Sequence, residues 1–180
     1  GTATAVAAPG AVSANTWYFI VAESDGLSLK LSINGGNFTN TAYTNGIVDG
    51  TNAFRLGAHG TGAYTNGMLD EVAVYKRILT QSEINWLYNN GAGRAYAELV
   101  PVNPGTNGLV SWWKLDEASG TRTDSHGTNH LTDNNTVASV GGLKGNGARF
   151  VTANSERLTL ADNASISTGN IDFTLVANVY

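Results

Sequence analysis

The chain has 180 residues, 13% of them charged, a formal net charge of −4 and no cysteine. The acidic balance argues against nucleic acid, because there is no basic stripe to release counterions from phosphates, and no run approaches the ~18 apolar residues of a membrane span. Disulfides and thiolate chemistry are excluded outright, and abundant Gly, Asn and Thr with few charges suit short strands and tight turns rather than disorder.

The length allows one good core or two small ones. Residues 1–12 alternate small side chains and could end a strand. Trp17 to Ala22 is an apolar run that predicts a central strand. Asp25-Gly26 signals a hairpin, after which Leu27, Leu29, Leu31 and Ile33 alternate with polar residues; Asn34-Gly35 is a second turn of the same kind. Residues 37–52 predict loop with one weak strand, and Phe54 to Gly57 a short strand before a Gly-rich loop. Leu69, Val72, Val74 and Tyr75 then predict a strand. Thr80 followed by Glu83 is a capping box, Leu79 and Ile84 occupy the positions of a hydrophobic staple, and Ile84, Leu87 and Tyr88 recur at helical spacing. Asn89-Asn90-Gly91 supplies residues that tolerate a left-handed helix end.

Beyond Gly91 the composition shifts. Residues 98–108 hold Pro101 and Pro104 and predict a linker or surface tie. Leu109 to Leu115 starts a new strand, and the next twenty residues predict a long polar loop. Ala148 to Val151 and Leu158 to Leu160 predict short strands around a turn at Ala153-Asn154, and Ile171 to Tyr180 predicts a last strand. No internal repeat is present. No N-terminal segment has the basic, apolar, small-residue layout of a secretory leader.

Two blocks together resemble the laminin-G-like domains of the concanavalin A-like jelly-roll superfamily. WYFIVAESDGLSLKLSINGG (17–36) with MLDEVAVYKRILTQSEINWLYNNG (68–91) is similar to the C-terminal half of such a domain. LVSWWKLDEASGTRTDSHGTNHLT (109–132) with residues 145–180 is similar to the N-terminal half. The resemblance implies an all-β fold: a concanavalin A-like jelly-roll sandwich of two antiparallel sheets with one short helix. It also implies that the order of the halves is reversed, residues 1–97 and 109–180 flanking a linker at 98–108. Either the chain cuts across two tandem repeats, or it is one permuted unit. In the first case the broken sheets expose edges that invite strand pairing with another copy.

The chemistry implied is modest. Carboxylates adjoin at Asp70-Glu71 and Asp116-Glu117, but neighbours on a regular strand point to opposite faces, so neither pair is expected to converge on a substrate. The clustered carboxylate strand of the related glucanases is not found, and the chain is not expected to be an enzyme. Calcium is the better prospect: the family's loop corresponds to DSHGTNH, which suggests Asp124 and Asn129 as ligands, with Asp70 or Asp116 completing the shell. His59, His126 and His130 lack zinc spacing. Trp112 and Trp113 alternate, so one is expected in the core and the other outward. Trp113, Tyr64 and Tyr43 are candidates for stacking on sugar, while Trp17 and Trp86 are expected in the core. Asn37, Asn134 and Asn163 head N-glycosylation acceptor triplets.

These expectations describe a non-catalytic extracellular or cell-surface module for adhesion or carbohydrate binding in a repetitive protein. The alternative is a filament subunit assembled head-to-tail by strand complementation. Its partners would be other copies, neighbouring repeats or a glycan.

Overall fold

The computed structural model describes residues 12–43, 47, 50–60, 62–99 and 105–180; the strand end expected within residues 1–11 and the prolines at 101 and 104 lie outside them. The fold is mostly antiparallel β with one short helix, consistent with a jelly-roll sandwich. Its strands are β1 (Tyr18–Ser24), β2 (Ser28–Ile33), β3 (Thr39–Ala42), β4 (Phe54–Leu56), β5 (Ala58–His59), β6 (Ala63–Tyr64), β7 (Gly67–Tyr75), β8 (Leu109–Trp113), β9 (Thr132–Asn134), β10 (Ala138–Gly141), β11 (Asn146–Phe150), β12 (Arg157–Leu160) and β13 (Phe173–Val179). The helix α1 spans Gln81–Tyr88.

The large sheet runs β10-β11-β7-β13-β1-β2-β3, with β8 also paired to β7. Strand β13 lies between β1 and β7. It pairs Tyr18 with Val179 through Ser24 with Phe173 on one side, and Tyr75 with Thr174 through Leu69 with Val179 on the other. Strand β7 is long enough to take two partners on its other edge, β11 near Leu69 and β8 from Val72 onward. Strands β4-β12-β9 form the second sheet. The loop expected at residues 58–66 contains a small β5–β6 hairpin instead.

Period-two alternation fills two cores, one on each face of the large sheet. Val72, Val74, Trp113 and Phe150 face Leu56 and Leu158 of the smaller sheet. Ala73, Tyr75, Trp112 and Val176 face Ile84 and Leu87 of α1. Burying each of these large side chains contributes roughly 2–3 kcal/mol. Both tryptophans of the pair are therefore buried, at 2% and 0% exposure. Trp17 and Trp86 are only half-buried: Trp17 packs on Tyr180 at 5.3 Å, and Arg94 lies over Trp86 at 4.6 Å.

Helix α1 is set by the residues that predict it. Thr80 accepts from Glu83 N at 3.3 Å, Glu83 accepts from Thr80 N at 2.7 Å, and Asn89 ends the helix at φ 48°. Arg77 donates two hydrogen bonds to the Glu83 carboxylate, at 2.8 and 2.9 Å. Buried Glu23 docks the connection onto the sheet, accepting from Leu79 N at 3.2 Å and Thr174 Oγ1 at 3.0 Å.

Candidate functional site

The stretch from Asp116 to Asn135 has the composition of a solvated loop, yet it holds a buried polar network. Asp124, 4% exposed, accepts from four backbone N–H groups: Trp112 at 3.0 Å, His126 at 3.0 Å, Gly127 at 2.9 Å and Asn129 at 3.1 Å. Burial pulls its pKa up, but the donors from Gly127, Trp112 and His126 outweigh that, so the pKa is lowered. Asn129 is as fully engaged. Its amide donates to Ser111 Oγ at 2.7 Å, its side-chain oxygen accepts from Ser165 Oγ at 2.7 Å, and its carbonyl accepts from Trp113 Nε1 at 2.6 Å. Arg122, wholly buried, donates to Gly120 O and Val137 O.

A second cluster sits on β7. Glu71 has φ +48°, and the register with β13 slips there, so that three steps from Asp70 to Ala73 face two from Asn178 to Val176. This is a β-bulge, a device that adds one residue and re-aims a side chain. It corrects the expectation that Asp70 and Glu71 point apart. Glu71 keeps the helix-side face of Ala73 and Tyr75, where Trp112 Nε1 donates to it, and the slip sets Asp70 opposite Asn178, on the face of Val176, which is the same one. Asp70 and Glu71 are 0% and 3% exposed. Desolvation raises Asp70 to about 7 and Glu71 to about 8, the charge of Asp116 adding to both. Asp70 Oδ2 accepts from Lys144 N at 2.7 Å and Asp116 Oδ1 from Asn146 N at 2.9 Å, so the two carboxylates grip the β10–β11 turn. Asp70 Oδ1 and its cross-strand neighbour's Asn178 Oδ1 are buried without a hydrogen-bond partner.

The four residues expected to hold calcium do not meet at one point. Asp124 and Asn129 are engaged by their own loop, by Ser111 and Trp112 of β8 and by Ser165, Asp70 is enclosed beneath the β10–β11 turn, and Asp116 is bound to Asn146 and Lys114. Among the described residues no group of three or more His, Cys, Asp or Glu is placed to hold a metal ion. A Ca²⁺ shell needs six to eight oxygens, and this arrangement does not fit one. The histidines serve locally: His130 Nδ1 accepts from Asp124 N, and His126 Nδ1 lies 3.2 Å from Tyr96 OH.

The sugar-stacking candidates are corrected in part. Trp113 is buried between the sheets and stacks on Phe54 at 5.3 Å, so no ligand can reach it. Tyr64 lies in β6 rather than a loop and is half-buried, and Tyr43 follows β3. Phe54, by contrast, lines open space. It borders two adjoining cavities, of about 290 and 410 Å³, and only burial of its neighbour Trp113 distinguishes it, which no local pattern announces. Of the acceptor asparagines, Asn37 is exposed. Asn134 is half-buried and donates to Thr159 Oγ1, and Asn163 is tied to Ser165.

Residues 1–85 match a laminin-G-like family model of the concanavalin A-like lectin/glucanases superfamily. The matched segment is just under half of the chain, and it is similar to this superfamily. No curated protein and no solved structure matches the chain. A laminin-G-like segment supports a carbohydrate-binding or adhesion-type module in general terms, and laminin-G-like domains are generally non-catalytic. Among the described residues no helix is long and apolar enough to cross a membrane.

Proposed function

We propose that the chain is a non-catalytic extracellular module that binds carbohydrate or mediates adhesion, with residues 1–97 and 109–180 acting as one permuted laminin-G-like unit. The lectin/glucanase match over residues 1–85 carries this reading. The carboxylates Asp70 and Glu71 are enclosed, so they offer a dissolved substrate no acid–base pair. A panel of immobilised oligosaccharides tests it: saturable binding to at least one supports it, and none across neutral, acidic and amino sugars overturns it.

A second reading follows from β13. The strand reaches its place between β1 and β7 only after the irregular stretch 161–172, and another copy's strand could occupy the same slot with the same pairing. Copies linked in this way would elongate head-to-tail into a filament. Light scattering over a range of concentrations separates the two: a constant monomer mass supports the closed unit, growth with concentration the filament.

A further inference from the structure

Of the ten Lys and Arg residues, eight are engaged. Lys30, Arg77, Arg94, Lys114, Arg122 and Lys144 make ion pairs, and Lys76 and Arg157 donate to carbonyls. Only the side chains of Arg55 and Arg149 make no hydrogen bond or ion pair with a described residue. Arg55 lies on β4, an edge strand of the smaller sheet. Its neighbours Phe54 and Leu56 pack toward the core, which puts Arg55 on the outer face by strand alternation. There it lines the cavity of about 410 Å³ together with Asn52 and exposed His59, a volume within the ~300–1,000 Å³ range of small-molecule sites.

The adjoining cavity of about 290 Å³ shares Asn52 and Phe54 and adds Asp162, whose Oδ1 accepts from Ser167 Oγ at 3.0 Å. Phe54 is held in advance, because its ring stacks on Trp113 at an interplanar angle of 22° and the Trp113 indole is pinned by Asn129 O. A rigid aromatic beside polar groups costs little entropy on binding and suits the C–H face of a pyranose. The charges differ on its two sides, cationic at Arg55 and anionic at Asp162.

We infer that an oligosaccharide carrying a carboxylate docks across Asn52 and Phe54, its acid group facing Arg55 and His59 and a neutral unit giving hydroxyl hydrogens to Asp162. This rests on the carbohydrate reading and names the site and ligand class within it.

The test is calorimetric titration with galacturonate, glucuronate and mannuronate oligosaccharides, each compared with its methyl ester, using the wild type, R55A, R55K and R149A. Removing a charge-assisted hydrogen bond should weaken binding about tenfold or more in R55A, with esterification doing the same and R55K recovering part of the loss. Arg149 lines a separate cavity beside Tyr180, so R149A should bind as the wild type does. Equal binding by R55A and wild type overturns the site, and equal binding of acid and ester overturns the ligand class; each leaves the carbohydrate reading standing. Binding of neutral sugars alone likewise overturns only this inference. Binding of none of these saccharides overturns this inference, and only a blank panel of neutral and amino sugars beside it overturns the carbohydrate reading as well.

Discussion

Asp124 and the Asp70-Glu71 pair are carboxylates with little exposed surface, the pair set deeper in the fold than Asp124, and they are shifted in opposite directions. Asp124 has four backbone N–H donors and a lowered pKa. Glu71 has one indole donor, and Asp70 keeps an oxygen with none; both are raised. Glu23 falls between them: it has one N–H and one hydroxyl donor, and it too is raised, by desolvation first. Burial sets the penalty for charge and hydrogen-bond donors offset it: the deeper pair is penalised more than its donors recover, while Asp124's donors outweigh its smaller penalty. A proton on Asp70 Oδ1 would turn an orphan acceptor into a donor beside a second orphan, Asn178 Oδ1.

The sharpest way to break this contrast is to remove the better-donated carboxylate. D124A leaves four N–H groups without their acceptor, those of Trp112 and Asn129 buried and those of His126 and Gly127 partly so, and should destabilise the protein by about 4 kcal/mol, whereas D124N keeps one acceptor oxygen and should cost roughly half. Urea melts near neutral pH check both. A loss below ~1 kcal/mol in D124A would show that the loop finds other partners, and the donor argument would fail.

The raised pair predicts the next largest effect, with a definite sign. Its folded pKa values, about 7 and about 8, lie above the ordinary carboxylate range. The folded state therefore binds more protons than the unfolded state between pH ~4 and ~8, and stability falls as pH rises through that window. E71Q keeps an oxygen to accept from Trp112 but has no proton to lose. It should flatten the decline between pH 5 and 8 by on the order of 2 kcal/mol. Parallel stability–pH curves for E71Q and wild type would locate the titration elsewhere.

The two regions also differ in what their residues disclose. From Met68 to Gly91 each local preference agrees with the fold: branched residues for β7, the Thr80–Glu83 box, and the Asn-Asn-Gly end. That segment is legible because its decisive interactions join residues at most six positions apart. The bulge at Glu71 is not legible, since a left-handed glutamate has no sequence mark and its direction is set by β13, a hundred residues later. Asp124 to His130 is rich in turn residues and carries no apolar periodicity, so its composition matches a solvated loop. Its burial comes from Trp112, Trp113 and Ser111 arriving beneath it. Phe54 is likewise visible as a strand residue but not as a cavity wall, because Trp113 and Asp162 reach it from the other half of the chain.

The smallest expected effect extends the same contrast to a carboxylate whose donors are nearly all close in sequence. Glu83 takes its hydrogen bonds from Arg77 and from the N–H and hydroxyl of Thr80. Its pKa is lowered, chiefly by Arg77. E83Q keeps one oxygen for the Thr80 N–H and loses the ion pair, whose Arg77 partner is partly exposed. The loss should be about 1 kcal/mol, and it should shrink in high salt, where a partly exposed pair is screened. The Asp124 network has no such screening to lose, because its donors are backbone dipoles inside the fold, so D124N should cost nearly the same at low and high salt. If the two variants respond to salt alike, charge rather than donor number governs both sites.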